Sequence, residues 1–499
     1  MRNNYYKIRL KNYTPKQLFD MKHFIIILSI IFIAISGCKK SGKIIISGKI
    51  EGKIPDSIAY SAPVNGVAYS GFKENIKPDS NGNFQIDLDS KIAAFVILTF
   101  PGKSSKTIII EPGERYNISI NSEAKKDFFK ITGPGEAGQN LYNTLPNPFM
   151  VQLEAKRFIK EPSQDTIKMK ISVMKNIDIS SFRKLLDNKE ISRNFYDLII
   201  IDRDCYYATL SANVQLIKYF ISSSGYAPND HFEYPLELKQ LWESVYAKDP
   251  PEQPKFLRSR WWYEYVTTFL SCKEYLSASY KRQYIIDLYE KGLYNTHEIE
   301  EAKNYLSLPS LEYYIPAYFY FESLDLVYEK EFISLFEQYK ADFPDSKYTK
   351  YIEPWIRTIK EFHAIADSDF KDNVSFVENY DSIKSLKEAV KSLKGKKIYV
   401  DVWATWCEPC KYEFVKKDSL LRRLHSQGTE ILFISIDVKN REQLWKDMIK
   451  YYNLQGFHIR ASNQLNADLR SIFSKDHKGS FYIPFHILID ESGKILKTE

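Results

Sequence analysis

The amino-acid sequence predicts a multidomain chain: an all-β N-terminal domain, a central all-α region and a C-terminal α/β domain on a mostly parallel sheet. Three observations predict it. Short β-branched runs separated by Gly, Pro and Asn fill residues 43–140. Apolar residues at helical spacing dominate residues 141–367. From 368 to 499, continuously apolar runs alternate with helical segments, as strands joined by crossover helices do. At 499 residues the chain exceeds one ordinary domain. Hydrophobic residues at 44% and charged residues at 27% describe soluble globular material. The net charge of +7 includes no dense Lys/Arg tract, which argues against a nucleic-acid partner.

Residues 1–38 read as a leader, with Met21 the natural start. The apolar run 24–35 in MKHFIIILSIIFIAISGC is shorter than the roughly 20 residues that span a bilayer. Lys22 and His23 before it and small residues after it make a signal peptide. Ile35-Ser36-Gly37-Cys38 resembles a bacterial lipobox, whose cysteine is lipidated and becomes the mature N-terminus. Cys38 is therefore the expected lipid anchor, and the expected location is the periplasm of a Gram-negative envelope. No acidic run follows Cys38 to signal display on the outer face.

In the β region, KIIISGKI, KIAAFVILTF and KTIIIEPGERYNISI supply the strands. Asp79-Ser80-Asn81-Gly82-Asn83 lacks the glycine and glutamate positions of a calcium loop. Its Asn-Gly predicts a hairpin turn instead.

In the helical region, Phe195, Leu198, Ile199, Tyr206, Leu210, Leu216, Ile217 and Phe220 recur at helical spacing. Breaks fall at 222–225 and 249–254, and there is no fixed-period repeat. Trp261-Trp262-Tyr263 reads as core rather than as a ligand platform. Cys205 and Cys272 read as two separate buried thiols, with a disulfide between them as the alternative. The chain's 36 Tyr and 31 Phe suit large packed helices or a sticky surface. They leave a second functional reading open, a surface lipoprotein that binds glycan or peptide through this aromatic-rich region.

The C-terminal strands are KKIYVDVW, EILFISID and IPFHILID, with KILK after the turn Glu491-Ser492-Gly493 as a closing hairpin strand. Helices are predicted over 411–424, 441–452 and 465–473. Between the first strand and helix stands Cys407-Glu408-Pro409-Cys410. A thiol at a helix N-terminus meets unpaired N–H groups and the positive end of the dipole, which favour the thiolate. A second thiol one turn on can attack a mixed disulfide through the first sulfur. Pro409 in the first turn loses nothing by lacking an N–H. Glu408 beside the thiolate should hold its pKa up by like-charge repulsion. A zinc site would need further thiol or imidazole ligands in a matching pattern. His425, His458, His477 and His486 supply none.

Trp403-Ala404-Thr405-Trp406-Cys407-Glu408-Pro409-Cys410 resembles the active site of the TlpA/ResA-like branch of the thioredoxin family. The resemblance covers roughly a quarter of the chain and implies a thioredoxin-like fold over 368–499. It implies a thiol–disulfide oxidoreductase with Cys407 as nucleophile, Cys410 as resolving thiol and Trp406 flanking the reactive sulfur. Ile483-Pro484 matches the family's cis-proline, with Pro484 packed against the sulfur and the Ile483 backbone pairing with the substrate chain. Asp401 stands where thioredoxin carries a buried aspartate, whose raised pKa suits it to take the proton from Cys410. TlpA-like members more often have Asn there. The family needs no bound cofactor. Its partners would be disulfide-containing client proteins and a membrane electron donor that recharges the dithiol. The β region resembles the small β-rich domain that precedes thioredoxin domains in many Gram-negative lipoproteins. There are two departures. The gap from Cys407 to Pro484 exceeds that of plain thioredoxin, as a helical insertion would make it. The family's closing helix has no residues after the last hairpin strand, so either the sequence is truncated or another region covers that face.

Overall fold

The computed structural model describes residues 42–499 except 228, 229, 231, 278, 279, 372, 394 and 478–480. The leader and Cys38 lie outside the described residues. Strands β1 (Lys43–Glu51), β2 (Ile58–Ser61), β3 (Glu74–Ile76), β4 (Asn83–Asp89), β5 (Ala94–Thr99), β6 (Lys106–Ile110), β7 (Arg115–Asn121) and β8 (Phe129–Thr132) come first. They form two sheets, ordered β4-β1-β7-β8 and β3-β2-β5-β6. Alternation along β1, β4 and β7 turns Ile44, Ile46, Phe84, Ile86 and Ile118 against Val96, Leu98, Ile108 and Ile110 of the other sheet. This is sandwich packing.

The Asn81-Gly82 turn forms, with Gly82 at φ +79° and the Asp79 carboxylate accepting the Asn81 and Asn83 N–H groups. It is not the predicted hairpin, because β3 and β4 belong to different sheets. Turn chemistry specifies the bend, whereas strand pairing is decided by which faces must be buried together.

Strand β5 is buried on both faces. Its outer side, with Ile109 of β6, meets Tyr142, Phe182, Phe195 and Leu198 of the helical region. Edge strand β6 is completed by side chains from helix α1 (Glu136–Tyr142) and the residue after it. The Gln139 amide donates to the Ile109 carbonyl at 2.7 Å and accepts the Ile109 N–H at 2.9 Å. Asn143, one turn later, does the same with Thr107 at 2.7 and 2.9 Å. Two amides at helical spacing thus satisfy an edge that would otherwise invite pairing.

Helices α2 (Gln164–Asp187), α3 (Arg193–Ser223), α4 (Trp262–Tyr275), α5 (Leu308–Leu324) and α6 (Thr349–Ala366) frame the middle of the chain. The Ser192 hydroxyl caps α3 by accepting the Phe195 N–H. Helix α3 is buried on most sides, against α2 and α4. Its interior Asp202 and Arg203 pair at 2.6 Å, and Tyr142 and Ser259 also donate to Asp202. Trp261, Trp262 and Tyr263 are buried core. Cys205 and Cys272 are separate buried thiols. No helix among the described residues is long and apolar enough to cross a membrane.

The C-terminal sheet contains β9 (Val374–Phe376), β10 (Ile398–Trp403), β11 (Glu430–Ser435), β12 (Gly456–Arg460), β13 (Phe485–Ile489) and β14 (Ile495–Thr498). Its order is β14-β13-β10-β11-β12-β9. β10, β11, β12 and β9 run parallel, while β13 is antiparallel to β10 and β14 closes a hairpin on β13. Strands β9 and β12 escape the sequence reading. One is three residues long, and the other, GFHIR, opens on glycine and carries a histidine and an arginine among its buried residues. The predicted 411–424 helix is two, α7 (Glu408–Lys416) and α8 (Asp418–Ser426), and starts earlier because Cys407 itself is the cap. Helices α9 (Glu442–Tyr451) and α10 (Asn463–Asp476) fall close to expectation. The core of this sheet is continuous with that of the helical region.

Replacing Gln139 with Ala strands the Ile109 N–H and C=O without partners. Urea unfolding should show a loss of roughly 2–4 kcal/mol, and an unchanged midpoint would mean the edge is satisfied otherwise.

Candidate active site

The candidate site forms where β10 ends. Strand β10 is apolar and sits mid-sheet, so the residues after Trp403 emerge at the sheet's C-terminal edge, where α/β sheets place their sites. Asp437, just beyond β11, fixes the loop. Its carboxylate accepts the Thr405 N–H at 2.8 Å and the Thr405 hydroxyl at 2.7 Å, and Ser435 donates to it as well. The chain then turns through Cys407 N–H to Ala404 O at 3.0 Å. Cys407 is the N-cap of α7, its sulfur 3.2 Å from the Cys410 N–H. Pro409 lies in the first helical turn.

Cys407 and Cys410 are joined as a disulfide, with Cα atoms 5.3 Å apart. Cys410 is buried and Cys407 is 3% exposed, whereas Trp406 between loop and solvent is 55% exposed. Glu408 is half-buried and Pro409 exposed. The Ile483–Pro484 peptide is cis. Register pairs Val402 with Phe485, so Pro484 falls one step further, at the end of β10 where the cysteine loop departs. The structure therefore brings Trp406, Cys407, Cys410, Ile483 and Pro484 to one edge of the sheet.

Asp401 lies within β10 and is buried, and its Oδ1 has no hydrogen-bond partner. Burial pushes its carboxyl up to about 7, with His486 pulling against that shift and Glu413 adding to it. His486 stands opposite Asp401 in register. Its Nε2 is 3.9 Å from Asp401 Oδ1 and 3.2 Å from Glu413 Oε2. Burial pulls the imidazole pKa down, but Glu413, Asp401 and Glu499 outweigh it and the net shift is upward.

Lys411 ties α7 to the helical region. Its buried ammonium donates to the carbonyls of Asp325 and Leu326 at 2.7 and 3.2 Å. Burial lowers its pKa to about 8 despite Glu329 and Asp325 nearby. Tyr412 donates to Leu324 O at 3.2 Å.

Sequence reasoning missed Thr405, Asp437, Lys411, Glu413 and His486. Asp437 closing EILFISID was a usable signal, since an acid at the end of a buried strand needs donors. By sequence His486 is a candidate only for zinc ligation, and its relation to Asp401 depends on the β10–β13 register. Among the described residues, the group with metal-ligand spacing is Glu274, His297 and Glu298, with ligand atoms within 4.8 Å of one another. It belongs to the helical region, and burial lifts both carboxyls to about 7.

A six-stranded sheet, a cysteine pair at a helix N-terminus and a cis-proline at the neighbouring strand end together define a thioredoxin-like α/β domain. Residues 374–499 match the Redoxin family model, and this part of the chain is a Redoxin domain. The chain is 33% identical over 115 residues to the thiol-disulfide oxidoreductase ResA of Bacillus cereus, covering 23% of this chain and 61% of that protein. It is 24% identical over 104 residues to the thiol:disulfide interchange protein DsbD of Actinobacillus pleuropneumoniae, covering 21% of this chain and 18% of that one. A solved thiol:disulfide interchange protein from a Bacteroides species is 25% identical, with a TM-score of 0.19, covering 22% of this chain and 66% of that one. The chain thus spans 61% of the length of the first of these relatives.

The raised Asp401 pKa makes a signed stability prediction. An aspartate that is harder to ionise folded than unfolded costs nothing below its unfolded pKa, and its cost grows as pH rises toward 7. In the oxidised chain, Asp401→Asn should therefore be nearly neutral in urea at about pH 4 and stabilising by up to about 4 kcal/mol at about pH 8. Equal effects at both pH values would contradict the shift.

Proposed function

We propose that the chain is a thiol–disulfide oxidoreductase, working as a lipid-anchored periplasmic reductant of protein disulfides. The observation that carries this reading is the Cys407–Cys410 bond closed across the first turn of α7. In the reduced form, the Cys407 thiolate attacks a client disulfide; the Cys407–client bond forms and one client thiolate leaves. Cys410 then gives its proton to Asp401 and attacks the Cys407 sulfur. The internal disulfide closes, the second client thiolate departs, and two electrons have passed to the client. Thiol–disulfide exchange needs no bound cofactor.

Trp406 and the Ile483 backbone would hold the client chain, and Pro484 would pack beside the sulfur. Glu408 raises the cost of the thiolate and so favours a reducing potential. Because the periplasm is kept oxidising, a membrane electron donor must recharge the dithiol. Cys38 supplies the lipid anchor. The sandwich and helices position the Redoxin domain or select its client.

The reading as a glycan or peptide binder has one point in its favour, a cavity of about 350 Å³ between sandwich and helices, lined by Tyr69, Phe149, Arg260, Trp261 and Tyr263.

Insulin disulfide reduction separates the two. Cys407→Ser should lose activity by about a hundredfold or more, and Cys410→Ser should accumulate the mixed disulfide. Wild type as inert as Cys407→Ser would favour the binder. The reduction potential is expected near thioredoxin's, about −270 mV; a value near −120 mV would mean an oxidant. Titrating Cys407 by alkylation should give a lower pKa in Glu408→Gln than in wild type, and an unchanged value would remove that role for Glu408.

A further inference from the structure

A buried carboxylate that accepts the Cys410 proton becomes an acid, and it must lose that proton before the next turnover. Asp401 Oδ1 is buried and has no hydrogen-bond partner of its own. The polar atom facing it is His486 Nε2, at 3.9 Å. The same nitrogen lies 3.2 Å from Glu413 Oε2, on a side chain that is half-exposed. One nitrogen thus stands between a buried carboxylate and one that reaches solvent.

We propose that His486 is a positioning residue that draws the proton from Asp401 and hands it to Glu413, so that Asp401 is ionised when each resolving step needs a base. The inference rests on the thiol–disulfide reading above.

Entry and exit through Nε2 require no change of tautomer. Cys410 loses its proton to the Asp401 carboxylate. The imidazolium first passes its Nε2 proton to Glu413, which exchanges it with water. The freed Nε2 then takes the proton of Asp401 as the two close to hydrogen-bond distance, restoring the imidazolium.

The imidazole is held for this. The Tyr399 ring from β10 stacks on it, with centroids 5.4 Å apart and planes at 23°. The backbone of His486 is bonded to that of Glu499 in both directions, at 2.8 and 3.0 Å. The titratable and charged groups around it are Asp401 and Tyr399 from β10, Glu413 from α7, and Glu499 following β14. Arg423 from α8 shares with His486 a cavity of about 360 Å³. Lys397 and Lys497 line that cavity too, and the carboxylates of Glu413, Asp401 and Glu499 nevertheless leave the net shift toward the imidazolium.

The test uses the full chain, reduced, mixed with an aryl disulfide that releases a coloured thiolate. The first release reports attack by Cys407 and the second reports resolution by Cys410. Rates are followed between about pH 5 and 9, the range in which histidine and the raised aspartate titrate. In His486→Gln, the second phase is expected to slow about tenfold at neutral pH, with its pH midpoint shifted upward because Asp401 has lost a cationic neighbour. The first phase should stay as in wild type. A second phase with wild-type rate and midpoint would overturn the inference. Should His486→Gln lose its circular dichroism signature, Glu413→Gln at the half-exposed position decides. A slower second phase supports the relay, and an unchanged one overturns it. A wild type that releases no second thiolate removes the thiol–disulfide reading instead, and the relay falls with it.

Discussion

The position of Cys407 as the first capping residue of α7 is the constraint on which the candidate site depends. A helix N-terminus has N–H groups with no internal partner, and here the Cys407 sulfur takes the one on Cys410. The cap fixes the spacing that lets the two sulfurs join. It also fixes where Trp406 projects, since the residue before the cap cannot follow the helix inward. What holds the cap in place is polar and lies below it. Asp437 binds both the backbone and hydroxyl of Thr405, so the loop is tied to the end of β11 and its geometry does not rest on the disulfide alone.

The helical region does more than precede this domain. Lys411 and Tyr412, directly after the second cysteine, donate to the carbonyls at 324–326. Tyr328 joins Tyr452 hydroxyl to hydroxyl at 2.7 Å and stacks on Phe362 of α6. A lysine this deeply buried gives up much hydration, and it is tolerated because two carbonyl oxygens receive its protons. The arrangement makes α7 a shared element, with one face on the sheet and the next turn on the helices. Any movement of the helical region relative to the sheet would have to break buried hydrogen bonds beside the cysteines.

Ionisable groups whose proton affinity burial shifts lie both beside the cysteine pair and within the helical region. Burial raises Asp401 and lowers Lys411 beside the cysteines, and raises Glu274, Glu298 and Glu322 among the helices. Each is a cost to folding that a purely structural core would avoid by using apolar residues. Such groups cluster at functional sites because the same burial that penalises charge sets a proton affinity near neutrality.

The sequence by itself determined the order of β, helical and α/β segments, the core placement of Trp261 and Trp262, and the cysteine pair at a strand-to-helix junction; it left a bond between Cys205 and Cys272 open, which the structure shows as two separate thiols. These were legible because hydrophobic period and local turn chemistry act over a few residues. Only the tertiary structure decided which strands share a sheet. The Asn81-Gly82 bend therefore read as a hairpin, and the short strands at 374–376 and 456–460 were missed. The partner of Asp401 was likewise out of reach, because His486 meets it only through the β10–β13 register. That register is fixed by burying both faces of a sheet whose strands are remote in sequence, and no local pattern encodes it.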